Sequence, residues 1–207
     1  WYNHDSIREY ICNFIMSKLE TNQVDPATGT TLTLGTSGDT ISIPSGVTIA
    51  NSGTATGFGS DNTPAFLVRK ASTQDVSDAS DVQVTFDTEV IDTDNAFASN
   101  TFTVPSGEAG KYLISCQLTM HGSSATTLEY STIKIFKNDT HFVNSQWVAY
   151  NNPGMYQTPC LTVIMDLSAG DTLKVYTYID VSSGTAKVAG ETSRFATWFQ
   201  GFKLIGL

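Results

Sequence analysis

Residues 82–116 read VQVTFDTEVIDTDNAFASNTFTVPSGEAGKYLISC. In the first half, Phe86, Asp92 and Phe97 set an aromatic, an acid and an aromatic across a turn-rich connection. In the second half, Phe102-Thr103-Val104-Pro105 leads into a glycine-containing loop and then Gly110-Lys111-Tyr112-Leu113-Ile114-Ser115-Cys116. Tyr112, Ile114, Cys116 and Leu118 alternate with Leu113, Ser115 and Gln117, which is the period of a strand with one face buried. Such a strand behind a Pro/Gly loop predicts the centre of an antiparallel sandwich.

The same period recurs outward from this stretch. It predicts strands over 65–69, 82–86, 102–104, 112–119, 131–137, 141–150, 158–167, 172–179 and 197–207. Leu161, Val163, Met165 and Leu167 share one parity, as do Leu173 and Val175, and then Trp198, Phe202 and Leu204. With no helical stretch between them, these segments predict an all-β jelly-roll sandwich over 64–207, roughly ten-stranded.

Four segments carry a family resemblance. Phe86-x5-Asp92-x4-Phe97 with Phe-Thr-Val-Pro and Gly-x-Tyr resembles the signature of the complement C-one-q globular head, in the tumour necrosis factor superfamily. Ile135-Phe136-Lys137-Asn138 resembles its "Lys-Asn" turn. Leu167-Ser168-Ala169-Gly170-Asp171 resembles its "Leu-x-x-Gly-Asp" hairpin, and Trp198-Phe199-Gln200-Gly201-Phe202 its closing strand. Ile114 and Cys116 stand where that family usually has aromatics. The resemblance implies a TNF-like head arranged as a homotrimer, and in some members calcium near the three-fold axis.

The rest of the chain is a different material. Ile7, Tyr10, Ile11, Phe14, Ile15 and Leu19 recur three and four apart, the apolar stripe of an amphipathic helix within residues 1–22. Ser6 and Glu9 fit a capping box at its start. A lone helix of this length is marginal in water, so its stripe is expected to dock on something: on its own β domain, or, as the favoured reading, as an anchor or a trimerisation surface. Residues 23–63 are rich in Gly, Ser and Thr, with short alternations at Leu32 and Leu34, Ile41 and Ile43, and Val47 and Ile49. Such a segment reads either as a flexible linker or, as the β-branched alternation favours, as one strand-set of a β stem shared between chains, since strands so short need partners. The run from Thr31 to Gly59 also resembles repeats in bacteriophage tail-fibre and other phage structural proteins.

Composition narrows the function. The 207-residue chain carries a net charge of −9 and no Lys/Arg cluster, so a phosphate backbone is an improbable partner. No apolar run is long enough to span a membrane, and the N-terminus lacks the layout of a secretory signal. Three cysteines, Cys12, Cys116 and Cys160, cannot all pair within one chain. Cys116 lies on a buried parity and reads as a free thiol, with a Cys116–Cys160 disulfide as the alternative.

No nucleophile elbow, P-loop or metalloprotease helix is present, and His4, His121 and His141 lack metal-ligand spacing. No enzyme is expected, and no cofactor. Asp75, Asp78, Asp81, Asp87, Asp92 and Asp94 read as a solvated acidic stretch with calcium as the lesser alternative. Asn138-Asp139-Thr140 matches a glycosylation sequon but reads better as a turn. Trp147, Tyr150, Asn151, Asn152 and Tyr156 around Pro153-Gly154 combine rings and amides, the composition of a glycan- or protein-recognition surface, or of a strand end packed on a neighbouring subunit.

Together these readings predict a phage virion structural protein, assembled in the host cytoplasm. It would be a trimeric fibre, spike or knob that joins other virion proteins through its N-terminus and a host-surface glycan or protein through its head. The alternatives are a capsid decoration or cement protein and a secreted complement-like recognition module.

Overall fold

The computed structural model describes residues 24, 26, 28–50, 52, 62–124, 126–149 and 152–205. The expected N-terminal helix, with Ile7, Tyr10, Ile11, Phe14, Ile15 and Leu19, lies outside the described residues. The chain divides into two units, Trp1–Thr54 and Ala55–Leu207, each described by itself.

In the first unit, residues 28–50 form turns but no strand. Thr36 to Asp39 is closed by Asp39 N–H donating to Thr36 O at 3.0 Å, and by the Asp39 carboxylate accepting from Thr36 N–H at 2.7 Å. Pro44 to Val47 closes the same way at 3.2 Å. Gly38 and Gly46 sit in these turns at φ of 97° and 86°, a region open to glycine at little cost. Leu32, Leu34, Ile41, Ile43, Val47 and Ile49 are all exposed. The expected short strands therefore find no ladder partner in their own described chain. The turns alone are local, and a ladder this short is unstable without neighbours.

In the second unit, the strands of the described residues begin with β1 (Ala65–Arg69), β2 (Gln74–Val76), β3 (Ser80–Gln83), β4 (Thr88–Asp92) and β5 (Phe97–Ala98). Then come β6 (Thr101–Thr103), β7 (Gly110–Gln117), β8 (Met120–Gly122), β9 (Leu128–Lys137) and β10 (Thr140–Val148). The last are β11 (Tyr156–Gln157), β12 (Cys160–Leu167), β13 (Thr172–Val181), β14 (Ala186–Val188) and β15 (Trp198–Lys203). One sheet runs β12-β7-β15-β1-β4 and the facing one β10-β9-β13-β6-β5, with β3 also on β13. All pairings are antiparallel, and the order, in which sequential strands cross between two sheets, is that of a jelly roll. A third sheet, β11-β8-β14-β2, is built from segments of two or three residues. The expectation of roughly ten strands is thus corrected to fifteen among the described residues. The additional ones are short pieces inside connections, too brief to show a period.

The predicted parities decide the core. Tyr112, Ile114 and Cys116 of β7 are fully buried, as are Leu173, Val175 and Ile179 of β13, with Met165 and Leu167 of β12 almost so. Each side chain of this size contributes about 1.5–3 kcal/mol through burial. The last strand is the exception. Phe199 and Gly201 face the core, while Trp198 and Phe202 point outward and are half-buried. Apolar residues occupy both parities of β15, so alternation could not choose its face. Gly201 settles it: a Cβ there would lie 2.5 Å from Ile114 Cδ1 and 2.8 Å from a Phe66 ring carbon.

The resemblance-bearing motifs become contacts. Asp92 accepts from the Ala96 and Phe97 amides at 2.8 and 2.9 Å, closing the connection that carries Phe97. Phe66, Phe86, Phe97, Phe102 and Phe199 then stack between the sheets with centroids 4.4–6.2 Å apart. Asn138 and Asp139 form the β9–β10 hairpin at φ of 50° and 60°, the conformation of a two-residue type I′ turn. That turn docks on the next hairpin: Asn138 donates to Asp171 at 2.7 Å and Lys137 pairs with it at 2.8 Å. These bonds, with the Ser168 amide, hold the Asp171 carboxyl at about 2, below its ordinary 3.8.

Two outcomes follow for stability. Tyr112 is fully buried and donates to Glu108 O at 2.6 Å. In urea titrations, Tyr112→Ala should cost about 3–5 kcal/mol, and an unchanged midpoint would contradict the assigned face. A depressed carboxyl stabilises the fold above its unfolded pKa and loses that contribution as pH falls through the folded one. Stability should therefore decline between pH 3.8 and about 2, and Asp171→Asn should flatten that decline while lowering stability at neutral pH.

Candidate functional site

The outward face of the β12-β7-β15-β1-β4 sheet is unusual for a solvated surface. Ile164, Leu113, Phe202 and Ala65 are register neighbours across four strands. The next row brings Ser115, Gln200, Leu67 and Ile91 side by side. Ile164 is 58% exposed and Ile91 47%. Two polar side chains of this face engage each other: Ser115 Oγ lies 2.7 Å from Thr162 Oγ1, and it also donates to Leu161 O at 3.2 Å. An antiparallel sheet normally alternates apolar-in and polar-out, and a continuous apolar row on the outside marks an interaction surface.

The predicted recognition segment is divided by the fold. Trp147 is half-buried and packs against the core. Its ring lies over Gly154, where an added Cβ would be 3.0 Å away. Gly154 is pinned there by two backbone bonds with Leu128, at 2.8 and 3.0 Å. Asn152 is exposed, and Tyr150 and Asn151 lie outside the described residues. Tyr156 goes elsewhere. It sits on β11 opposite His121 of β8, with ring centroids 4.7 Å apart.

Tyr156 and His121 border a cleft of about 580 Å³ that also takes in Gln117, Thr119, Glu191 and Arg194. His121 Nδ1 is 2.8 Å from Gly122 O; a carbonyl only accepts, so Nδ1 carries the proton. The His121 bond to backbone, rather than to a carboxylate or hydroxyl, assembles no base–nucleophile pair. The Glu191 carboxyl is held below its ordinary value by the Ser193 amide and hydroxyl, with Arg194 3.8 Å away. This cleft can hydrogen-bond and stack. Sequence reading weighed His121 only for metal-ligand spacing and missed Gln117, Glu191 and Arg194, because they come from separate strands and loops that no local pattern links.

The acidic stretch is dispersed into structural roles. Asp75 pairs with Lys187 and Asp81 with Lys134, Asp78 caps the Val181 amide, and Asp87 accepts from the Ala71 and Ser72 amides. Among the described residues no three His, Cys, Asp or Glu side chains converge as metal ligands. Cys116 and Cys160 are both free. Cys116 is buried, its thiol pushed well above the ordinary value by desolvation, whereas Cys160 points outward. Strand alternation places them on opposite faces, which excludes the Cys116–Cys160 bridge. No described helix is long and apolar enough to cross a membrane.

No family model matches the chain, and no curated protein is significantly similar to it. Among solved structures it is similar to the globular domain of zebrafish complement 1qA protein, at 17% identity and TM-score 0.47, over 69% of this chain and 98% of that one. It is also similar to Eiger TNF from S. frugiperda, at 14% identity and TM-score 0.49, over 68% of this chain and 91% of that one. The jelly-roll assignment rests on the strand order itself.

The two halves of the divided segment should respond differently to truncation. Trp147→Ala should lower stability by about 2–4 kcal/mol, somewhat under the scale for a fully buried Trp. Tyr156→Ala should stay within about 0.5 kcal/mol, as surface changes do. Thermal melts of both variants measure this, and equal effects would contradict the division.

Proposed function

We propose that the chain is a non-enzymatic structural protein of a bacteriophage virion: a trimeric fibre, spike or knob whose N-terminus joins the particle and whose head meets the host surface. The observation that carries the reading is the apolar row Ile164, Leu113 and Phe202 with Leu67 and Ile91 on the outside of one sheet. A second copy of the same chain is the occupant that suits it. The stem makes the same demand, since Leu32, Leu34, Ile41, Ile43, Val47 and Ile49 are uncovered in a single chain. Copies joined along the stem are already held close, so head contacts form as effectively intramolecular events. Homotrimeric order is what the resemblance to the complement and tumour necrosis factor family implies. The phage context is supported by the Thr31 to Gly59 repeat, and the anchor by the stripe Ile7, Tyr10, Ile11, Phe14, Ile15 and Leu19.

The test is competition for adsorption. Purified full-length chain should run as three copies by native mass spectrometry and block attachment of the virus that encodes it. Ile164→Asp should weaken the assembly and the block together. A chain present in virions that never interferes with attachment would favour the decoration reading. A monomer at micromolar concentration would overturn the assembly.

A further inference from the structure

The outward face of the other sheet, built on β9 and β13, carries a corner of two tyrosines. Tyr130 and Tyr178 stand at 80° to one another with centroids 5.6 Å apart. Each ring is held. Tyr130 donates its hydroxyl to Gln146 Oε1 at 3.1 Å, and Lys134 Nζ lies 5.4 Å from the Tyr178 centroid while pairing with Asp81. Asp180 is the register partner of Tyr130. Two hollows meet here. One of about 450 Å³ is lined by Tyr130, Lys134, Tyr178 and Asp180. The other, of about 580 Å³, is lined by Glu129, Tyr130, Val148, Ala149, Pro153 and Asp180. Tyr130 and Asp180 form their shared wall, and Val148, Ala149 and Pro153 come from beside the predicted recognition segment.

Asp180 differs from the other aspartates of this face. Asp81 is paired with Lys134 and Asp139 with Lys174. Among the described residues the Asp180 carboxylate takes no hydrogen bond and no ion pair, so its acceptor oxygens are available beside two rings.

We propose that the Tyr130–Tyr178 corner with Asp180 binds a neutral saccharide. It rests on the recognition half of the proposed function, whose ligand class it names. A pyranose offers an apolar C–H face and a rim of hydroxyl donors. Rings fixed at right angles give the sugar one surface to stack on and one to abut. An unpartnered carboxylate accepts from neighbouring hydroxyls in charge-assisted bonds. Few polar groups placed among aromatics are what a small-ligand site needs. Other classes fit less well. Glu129, Asp180 and the net charge of −9 oppose a carboxylated or phosphorylated sugar. The cation's place beside Tyr178 is already taken by Lys134, so a cationic ligand would have to displace it.

Saturation-transfer NMR on the full chain tests the site, with methyl glycosides of glucose, galactose, mannose and N-acetylglucosamine, and with glucuronic acid as the charged comparison. At least one neutral glycoside should receive saturation at its ring C–H protons. Tyr178→Ala and Asp180→Asn should each weaken it about tenfold, the scale of one stacking or charge-assisted contact. Asp180→Asn keeps the side-chain shape, and so guards against a fold effect of Tyr178→Ala. Tyr156→Ala, in the separate cleft, should bind as the parent does. Silence with every neutral glycoside, unchanged binding in both variants, or preference for glucuronic acid would each overturn the proposal. If the chain blocks virus attachment but binds no neutral glycoside, the site fails and the proposed function stands. Glycoside binding at Tyr178 without any effect on attachment has the opposite meaning.

Discussion

The sandwich depends on five phenylalanines drawn from distant parts of the chain. Phe66 of β1 stacks on Phe102 of β6 at 4.4 Å and meets Phe199 of β15 edge-on at 4.9 Å, with Phe86 and Phe97 completing the set. Each such pair adds about 0.5–1.5 kcal/mol beyond simple burial. The cluster joins the two sheets, so its geometry limits what surrounds it. Gly201 is one consequence, because the rings and Ile114 leave no space for a side chain. Asp92 is another. Its carboxylate fastens the Ala96 and Phe97 amides, and so fixes the angle at which Phe97 enters the cluster.

A second region of order lies at the hairpin end. Lys137 and Asn138 are neighbours at the β9–β10 hairpin, and Asp171 lies far from them in sequence, in the turn between β12 and β13. Their mutual bonds lock two turns together at the point where β9 ends and β10 and β13 begin. The tyrosine corner stands on the outer side of those same strands. Rings that must meet a ligand at a fixed angle gain from a backbone held at one end by such a lock.

The long strands were legible because a single face of each is buried. On β7 and β13 the two-residue period ran true from Tyr112 to Cys116 and from Leu173 to Ile179. On β15 it failed, since Trp198, Phe199 and Phe202 are apolar on both parities and only the three-dimensional closeness of Phe66 and Ile114 selects the inward set. The third sheet was invisible for a different reason: β2, β8, β11 and β14 are too short for any period. Of the aromatic-amide segment, the ring character of Trp147 and Tyr156 was legible, but not that one would pack and the other line a cleft. Tyr130, Tyr178 and Asp180 carry no local signal that joins all three. Tyr178 and Asp180 share a face of β13 by their two-residue spacing, but Tyr130 joins them only through the β9–β13 register, which no spacing along the chain encodes.

The lysines of the sandwich are engaged at home. Lys134, Lys137, Lys174, Lys187 and Lys203 each pair with an acid of the same chain, and Lys111 sits 4.0 Å from Asp166. Arg69, on the apolar face, lies over Phe195 and donates to Thr192 O. Among the described residues, that face therefore has no unengaged cation to attract an acidic copy of itself. In the assembly proposed above, contacts on that face would form by desolvation, against the mutual repulsion of chains that each carry −9. Dissolved ions weaken that repulsion beyond a screening length of about 10 Å at 0.1 M. An assembly built this way tightens as ionic strength rises and loosens in dilute buffer, the reverse of one held by ion pairs.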